Sequence, residues 1–190
     1  MIDTPHGPAR AHLHAVDSPR AAVVLGHGAG GGVESPDLVG ATKAANEAGL
    51  SVALVEQPYR VAGRRSPAPA RQLDEAWLAV VPQLFEELPL IVGGRSLGAR
   101  VACRTADQLG AVAVLSLAFP VHPPGRPEKT RLPELDAVTV PTLVVQGERD
   151  PFGIPPEAPN RKVVLIPGTH SLRSSATVEA AVADWLETLF

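Results

Sequence analysis

Cysteine occurs once, at Cys103, lysine only at Lys43, Lys129 and Lys162, and aromatic residues make up 4% of the chain. A lone thiol closes no internal disulfide, which fits a reducing compartment, and Cys103 reads as a small side chain packed within a helix. With Lys and Arg numbering 17 against 20 Asp and Glu, the formal charge of −3 gives no general pull toward nucleic acid or an anionic membrane. The first residues hold no basic stretch followed by an apolar one, and no apolar run approaches the length that spans a bilayer, so a soluble, cytoplasmic protein is expected. Repeats, heptads and metal-ligand spacing are absent too, and neither a metal nor a cofactor is predicted. His12 and His14 share a face of a surface strand and look like no metal site. What remains is a chain of 190 residues rich in Ala, Pro and Gly, the length of one domain over 1–190 that buries roughly 70% of its unfolded surface.

One stretch organises the rest. Leu90-Ile91-Val92 is a short apolar run, Gly93-Gly94-Arg95-Ser96-Leu97-Gly98 follows, and Leu97, Val101, Ala102, Ala106 and Leu109 then form one helical stripe. The pattern is strand, sharp turn, helix. Gly94-x-Ser96-x-Gly98 fits G-x-S-x-G, in which small residues let the strand fold back on the helix while the serine is strained and its hydroxyl faces out. The helix start behind Ser96 aims backbone N–H groups, Leu97 first, at any negative charge forming beside the serine. The plainer alternative is a tight turn carrying a solvated serine.

Upstream, Ala9 to Val16 alternates as a first strand, and Ala21 to Leu25 reads as a buried one that empties into Gly26-His27-Gly28-Ala29-Gly30-Gly31-Gly32. Each glycine there costs backbone entropy, which points to close approach of backbone to something. A phosphate cradle, a flexible linker and half of an oxyanion-binding site compete for that loop. The Lys and Ser/Thr of a P-loop are missing, and Glu56 at the end of the next strand keeps a nucleotide site as the lesser alternative. A helix from Ser35-Pro36-Asp37 to Ala48 and a strand from Leu50 to Val55 come next. Gln57 to Ala70, rich in Pro and Arg, reads as a long loop, and Gln72 to Glu87 as a helix with Pro82 a potential kink. Further buried strands are expected over Ala111–Leu117, Val140–Val145 and Lys162–Ile166. The broken segment Pro120–Val138 reads as a loop, and Ala176–Leu189 as a closing amphipathic helix. Strands alternating with helices predict an α/β fold, a mostly parallel, doubly wound sheet of about seven strands covered on both faces.

Ser96, Asp150 in Gly147-Glu148-Arg149-Asp150, and His170 in Gly168-Thr169-His170 each follow a predicted strand, in the order Ser, Asp, His. With the His27-Gly28-Ala29-Gly30 loop, the chain resembles the α/β-hydrolase superfamily over nearly its whole length. Its small size and the strings Gly26-His27-Gly28-Ala29-Gly30-Gly31 and Gly93-Gly94-Arg95-Ser96-Leu97-Gly98-Ala99-Arg100 resemble the small branch that includes dienelactone hydrolases. They are similar in particular to the hydrolase-like domain found in a subunit of the NSL histone-acetyltransferase complex. Many relatives insert a helical lid after the strand that here ends near Phe119; the short Pro-rich loop in its place predicts an open site without a lid.

The resemblance implies a serine hydrolase that cleaves a small ester or thioester through an acyl-enzyme. Ser96 would be the nucleophile, His170 the base and Asp150 its orienting acid, since a neutral imidazole with pKa near ~6.5 suits the task. The N–H groups of Leu97 and Ala29, with Gly30 as the neighbouring candidate, would hold the oxyanion. His27 reads as structural. Tyr59, Phe119, Pro120, His122 and Phe152 lie on loops at the same end and could line an acyl pocket, although ordinary loop packing explains them equally well. Arg60, Arg64, Arg65 and Arg126 could recognise an anionic substrate, but arginines on open loops are more often solvated. The expected partner is a small-molecule acyl substrate, with no nucleic acid and no membrane. The alternative is a catalytically silent hydrolase-like scaffold for protein interaction, as some relatives are.

Overall fold

The computed structural model describes residues 1–190. Seven strands form in chain order: β1 (Arg10–His14), β2 (Ala21–Gly26), β3 (Leu50–Glu56), β4 (Leu90–Arg95), β5 (Ala113–Leu117), β6 (Thr142–Gly147) and β7 (Arg161–Ile166). The helices are α1 (Pro36–Glu47), α2 (Pro58–Val61), α3 (Ala70–Val80), α4 (Leu97–Thr105), α5 (Leu132–Asp136) and α6 (Ser175–Leu186). One sheet takes all seven strands in the order β1-β3-β2-β4-β5-β6-β7, with every neighbouring pair parallel except β1 against β3.

The central strands are apolar throughout because both faces of the sheet are covered. Val23 and Leu25 of β2, Ile91 of β4 and Leu115 of β5 point toward α1 and α6, where they meet Leu38, Val178 and Trp185. Their sequence neighbours Val24, Val92 and Val114 point the other way, onto Leu73 and Trp77 of α3 and Val101 of α4. Each such aliphatic side chain, withdrawn from water completely, contributes about 1.5–3 kcal/mol before the entropy of ordering it is subtracted. β1 lies on an edge, and there His12 bonds Glu56 while His14 stays exposed, as a surface strand requires. Glu56 also takes Arg10, so its carboxylate is engaged by two side chains of β1 and is not a free acidic partner for a nucleotide.

Several boundaries differ from expectation. The polar segment after β3 holds α2, and the Pro-rich segment after β5 holds α5, because Pro58 and Pro133 sit at the first positions of a helix, where a missing N–H costs nothing. The helix expected over Gln72–Glu87 ends at Val80 and continues as one 3-10 turn, Val81–Gln83, since Pro82 has no N–H for the α-helical ladder. Between β5 and β6 only the five-residue α5 intervenes, so no helical lid covers the sheet. No helix is long and apolar enough to cross a membrane.

Topology fixes where a ligand can lie. From β2 the chain moves outward to β3, then crosses back over β2 to β4 and continues through β5 to β7. The strand order therefore reverses between β2 and β4, and helices leave these two strands on opposite faces, which opens a crevice beyond their carboxyl ends. The glycine-rich loop after β2 and the turn carrying Ser96 after β4 are the two walls of that crevice.

Candidate active site

Ser96 sits between β4 and α4 with φ 51° and ψ −101°, a left-handed backbone that a side chain rarely adopts. The turn is held by the Ser96 N–H donating to the Leu117 carbonyl at 2.8 Å and by the Gly98 N–H donating to the His27 carbonyl at 3.1 Å. A Cβ on Gly94 or Gly98 would run into the Gly26 carbonyl oxygen, and Gly94 also has φ 153°. The small residues of the motif therefore let the turn after β4 press against the end of β2, which leaves the serine hydroxyl facing out.

The Ser96 Oγ lies 2.8 Å from His170 Nε2, and His170 Nδ1 lies 2.9 Å from Asp150 Oδ2. Facing a carboxylate, Nδ1 carries the ring hydrogen and donates it, which assigns Nε2 as an acceptor for the serine O–H. Asp150 has further donors: the Phe152 N–H reaches Oδ1 at 2.8 Å and Gln146 Nε2 reaches Oδ2 at 2.8 Å. Gln146 is buried, and the same nitrogen faces the carbonyls of Phe119 and Gly153 at 3.1 and 2.9 Å. The Phe152 ring stacks on the His170 imidazole with centroids 4.0 Å apart, fixing its plane. Gln146, the last residue but one of an apolar strand, carried no sequence signal of this role.

The glycine-rich loop is built by His27, whose burial lowers its pKa despite the hydrogen bond to Gly28. His27 Nδ1 bonds the Gly28 carbonyl at 2.8 Å and Nε2 accepts the Gln57 N–H at 3.1 Å, an arrangement that only a neutral ring satisfies. The residue is structural, as its position before the loop suggested. The Tyr59 hydroxyl donates to the Ala29 carbonyl at 3.3 Å, and the N–H groups of Ala29 and Gly30 have no acceptor in the chain. Leu97 begins α4, where the first N–H groups lack intrahelical partners.

A cleft of about 390 Å³ opens on Ser96 and His170 and is walled by Ala29, Gly30, Leu97 and Phe152. Phe152 and Pro120 take the pocket positions expected of them, whereas Tyr59 and Phe119 do not. Phe119 is completely buried in the core beneath α3 and α4, and Tyr59 turns inward beside His27, where burial pushes its phenol up to about 12. His122 bonds the Pro123 carbonyl outside the cleft. Arg60, Arg64, Arg65 and Arg126 lie away from it as well, and the guanidinium groups that do line it belong to Arg95, Arg100 and Arg131. Arg95 pairs with the buried Asp37 of α1 at 2.8 Å and donates to the His170 carbonyl at 3.3 Å, so it ties α1 to the histidine loop behind Ser96. Sequence reading overlooked these arginines, although Arg95 stands beside Ser96 and Arg100 one helical turn beyond it. Arg95 and Gly30 also border a neighbouring cleft of about 560 Å³ at the start of α1. No group of three or more His, Cys, Asp or Glu side chains is placed to hold a metal ion.

No curated protein sequence matches the chain. Among solved structures it is similar to an α/β serine hydrolase without a lid from Xanthomonas campestris, with 19% identity and a TM-score of 0.77 over 100% of this chain and 93% of that one. It is also similar to Est1E from Butyrivibrio proteoclasticus, at 20% identity and a TM-score of 0.78, covering 98% and 96% of the two chains. A dienelactone hydrolase from Anabaena variabilis matches at 20% identity and a TM-score of 0.72, over 98% and 94%. At such identities these likenesses speak for the fold. The sequence itself goes further, because residues 19–179, from the approach to β2 into α6, match the model of an alpha/beta hydrolase domain, and the chain belongs to that family.

Proposed function

We propose that the protein is a serine hydrolase that cleaves a small ester or thioester through a Ser96-His170-Asp150 triad. The observation that carries this reading is the continuous hydrogen-bonded line from the Ser96 hydroxyl through both His170 nitrogens to Asp150, at 2.8 and 2.9 Å. A serine hydroxyl is a weak nucleophile until a base takes its proton, and His170 Nε2 is within reach to do so. Asp150 keeps the hydrogen on Nδ1 and stabilises the imidazolium that forms.

The step is then written as follows. Ser96 Oγ bonds to the acyl carbon while its proton passes to His170 Nε2, and the carbonyl electrons move onto the oxygen. The unpaired N–H groups of Ala29 and Gly30 and the start of α4 at Leu97 are the donors suited to that oxyanion; losing one such donor costs about 3 kcal/mol of barrier. Collapse breaks the bond to the leaving group, which departs with the proton from Nε2. Water, losing its proton to the same nitrogen, releases the acid and restores Ser96. The absence of a helix between β5 and β6 other than α5 leaves the cleft open, which suits short acyl groups.

Intact-mass analysis after exposure to a fluorophosphonate probe tests the reading. One adduct is expected on the wild type, none on Ser96→Ala, together with hydrolysis of short-chain 4-nitrophenyl esters by the wild type alone. An adduct or turnover that persists in Ser96→Ala refutes it.

A further inference from the structure

The cleft at Ser96 holds three guanidinium groups and no carboxylate on its walls. Two of the three are accounted for. Arg95 pairs with Asp37, and Arg100 makes a two-pronged bond to Glu134 at 2.8 and 2.6 Å. Glu134 also takes Arg104 at 3.2 Å, and Arg104 in turn grips Asp74 at 2.8 and 2.6 Å. Every nearby acid is thus engaged: burial pushes the Glu134 carboxyl up, but bonds from Arg100 and the charges of Arg100 and Arg104 bring it below its ordinary range. Arg131 joins none of these pairs, although it stands one turn from Glu134 at the start of α5. Its backbone is fixed by an N–H bond to the Val121 carbonyl at 2.7 Å, so the residue is held at the rim rather than on a free loop.

Four guanidinium groups against three carboxylates leave one positive charge over, and it falls on Arg131, the arginine of the cleft that has no paired carboxylate. Asp150, bonded to His170 and Gln146, does not line the cleft. Burial first, then the positive charge of Arg100, act against the Arg131 cation and outweigh the support of the Glu134 carboxylate, an imbalance that an anion would relieve. A guanidinium presents a planar fork that matches the two oxygens of a carboxylate.

We infer that the substrate of this site is an anionic ester, one that carries a carboxylate recognised by Arg131 beside the acyl group attacked by Ser96. This rests on the proposed hydrolase reading and adds the charge of the substrate to it. The carboxylate belongs either to the acyl part or to the leaving group, and the two sources separate by experiment.

Steady-state rates on two matched pairs of esters decide. The acyl arm compares 4-nitrophenyl hydrogen adipate, whose chain is too long for its carboxylate to expel the phenol through a five-membered anhydride, with its methyl ester, and the leaving-group arm compares 4-carboxyphenyl acetate with its methyl ester. In one arm the wild type should favour the anionic member by about ten- to a hundredfold in kcat/KM, the worth of a charged hydrogen bond. That ratio should fall toward one in Arg131→Gln and recover in part in Arg131→Lys. A ratio unchanged in Arg131→Gln, or a wild type that favours the neutral ester in both arms, overturns the inference while leaving the hydrolase reading intact. Should the wild type turn over none of the four esters, the hydrolase reading fails instead, and calorimetry with glutarate then decides the anion site alone. Binding to the wild type that is lost in Arg131→Gln supports the site; equal binding, or none, overturns it.

Discussion

Removing the Ser96 hydroxyl in two ways separates what the turn costs from what the hydroxyl contributes. Ser96→Ala and Ser96→Gly both abolish the bond to His170, so that loss cancels between them. What differs is the backbone, because φ 51° with ψ −101° strains any residue with a Cβ and leaves glycine at ease. Such strain costs about 1–3 kcal/mol. Against this, glycine loses about 0.4–1 kcal/mol more than alanine through the entropy of the unfolded chain. The strain wins, and Ser96→Gly is expected to exceed Ser96→Ala in stability by about 1 kcal/mol, read as roughly 2–4 °C in the unfolding midpoint of a domain this long. Thermal and urea unfolding of the two variants provide the measurement. An alanine variant as stable as the glycine variant would mean that the turn holds no strain, and that Ser96 is not presented by the backbone geometry described above.

Acid stability should show His27. Burial lowers its pKa in the folded state, so below the ordinary value of ~6.5 the unfolded chain takes up a proton that the folded one refuses. Unfolding free energy then rises with pH between the folded value and ~6.5 and gains nothing above it, by at most about 1.4 kcal/mol per pH unit. His27→Gln should flatten that slope in urea titrations at stepped pH, whereas Glu134, held below its ordinary 4.5, withdraws its contribution only at more acid pH. A slope identical in wild type and variant would refute the assignment. Gln146→Leu removes a donor to the orienting acid and should lower kcat about ten- to a hundredfold with little change in KM, since Gln146 does not border the cleft. A larger loss in KM than in kcat would show that Gln146 acts through substrate binding instead.

What could be seen in advance follows from which forces are local. β2, β4, β5 and β6 are apolar runs of about the length of a strand, and a strand buried on both faces has no other way to be written. Ser96, Asp150 and His170 were legible because parallel strands send their following loops to one end, so three residues placed just after three strands must be neighbours. Cys103 was legible as packing, and burial pushes its thiol up to about 12. The short helices α2 and α5 escaped notice because proline was read as a breaker where it was an initiator, a difference of one position.

Direction was harder to see than position. Tyr59, Phe119 and Phe152 all follow strands at the same end, yet only Phe152 turns toward the serine. The carbonyl of Ala29 draws the Tyr59 hydroxyl inward, and the space beneath α3 and α4 takes the Phe119 ring, both settled by atoms distant in sequence. Charge followed the same rule. Arg100, Arg104 and Glu134 look like ordinary solvated residues until α4 and α5 are brought together. Only then is it apparent that one acid serves two arginines and that Arg131 is left over at the mouth of the cleft. The meeting of Ser96, His170 and Asp150 was thus written in three short motifs, whereas the balance of charge around their cleft was written in side chains that meet only in the fold.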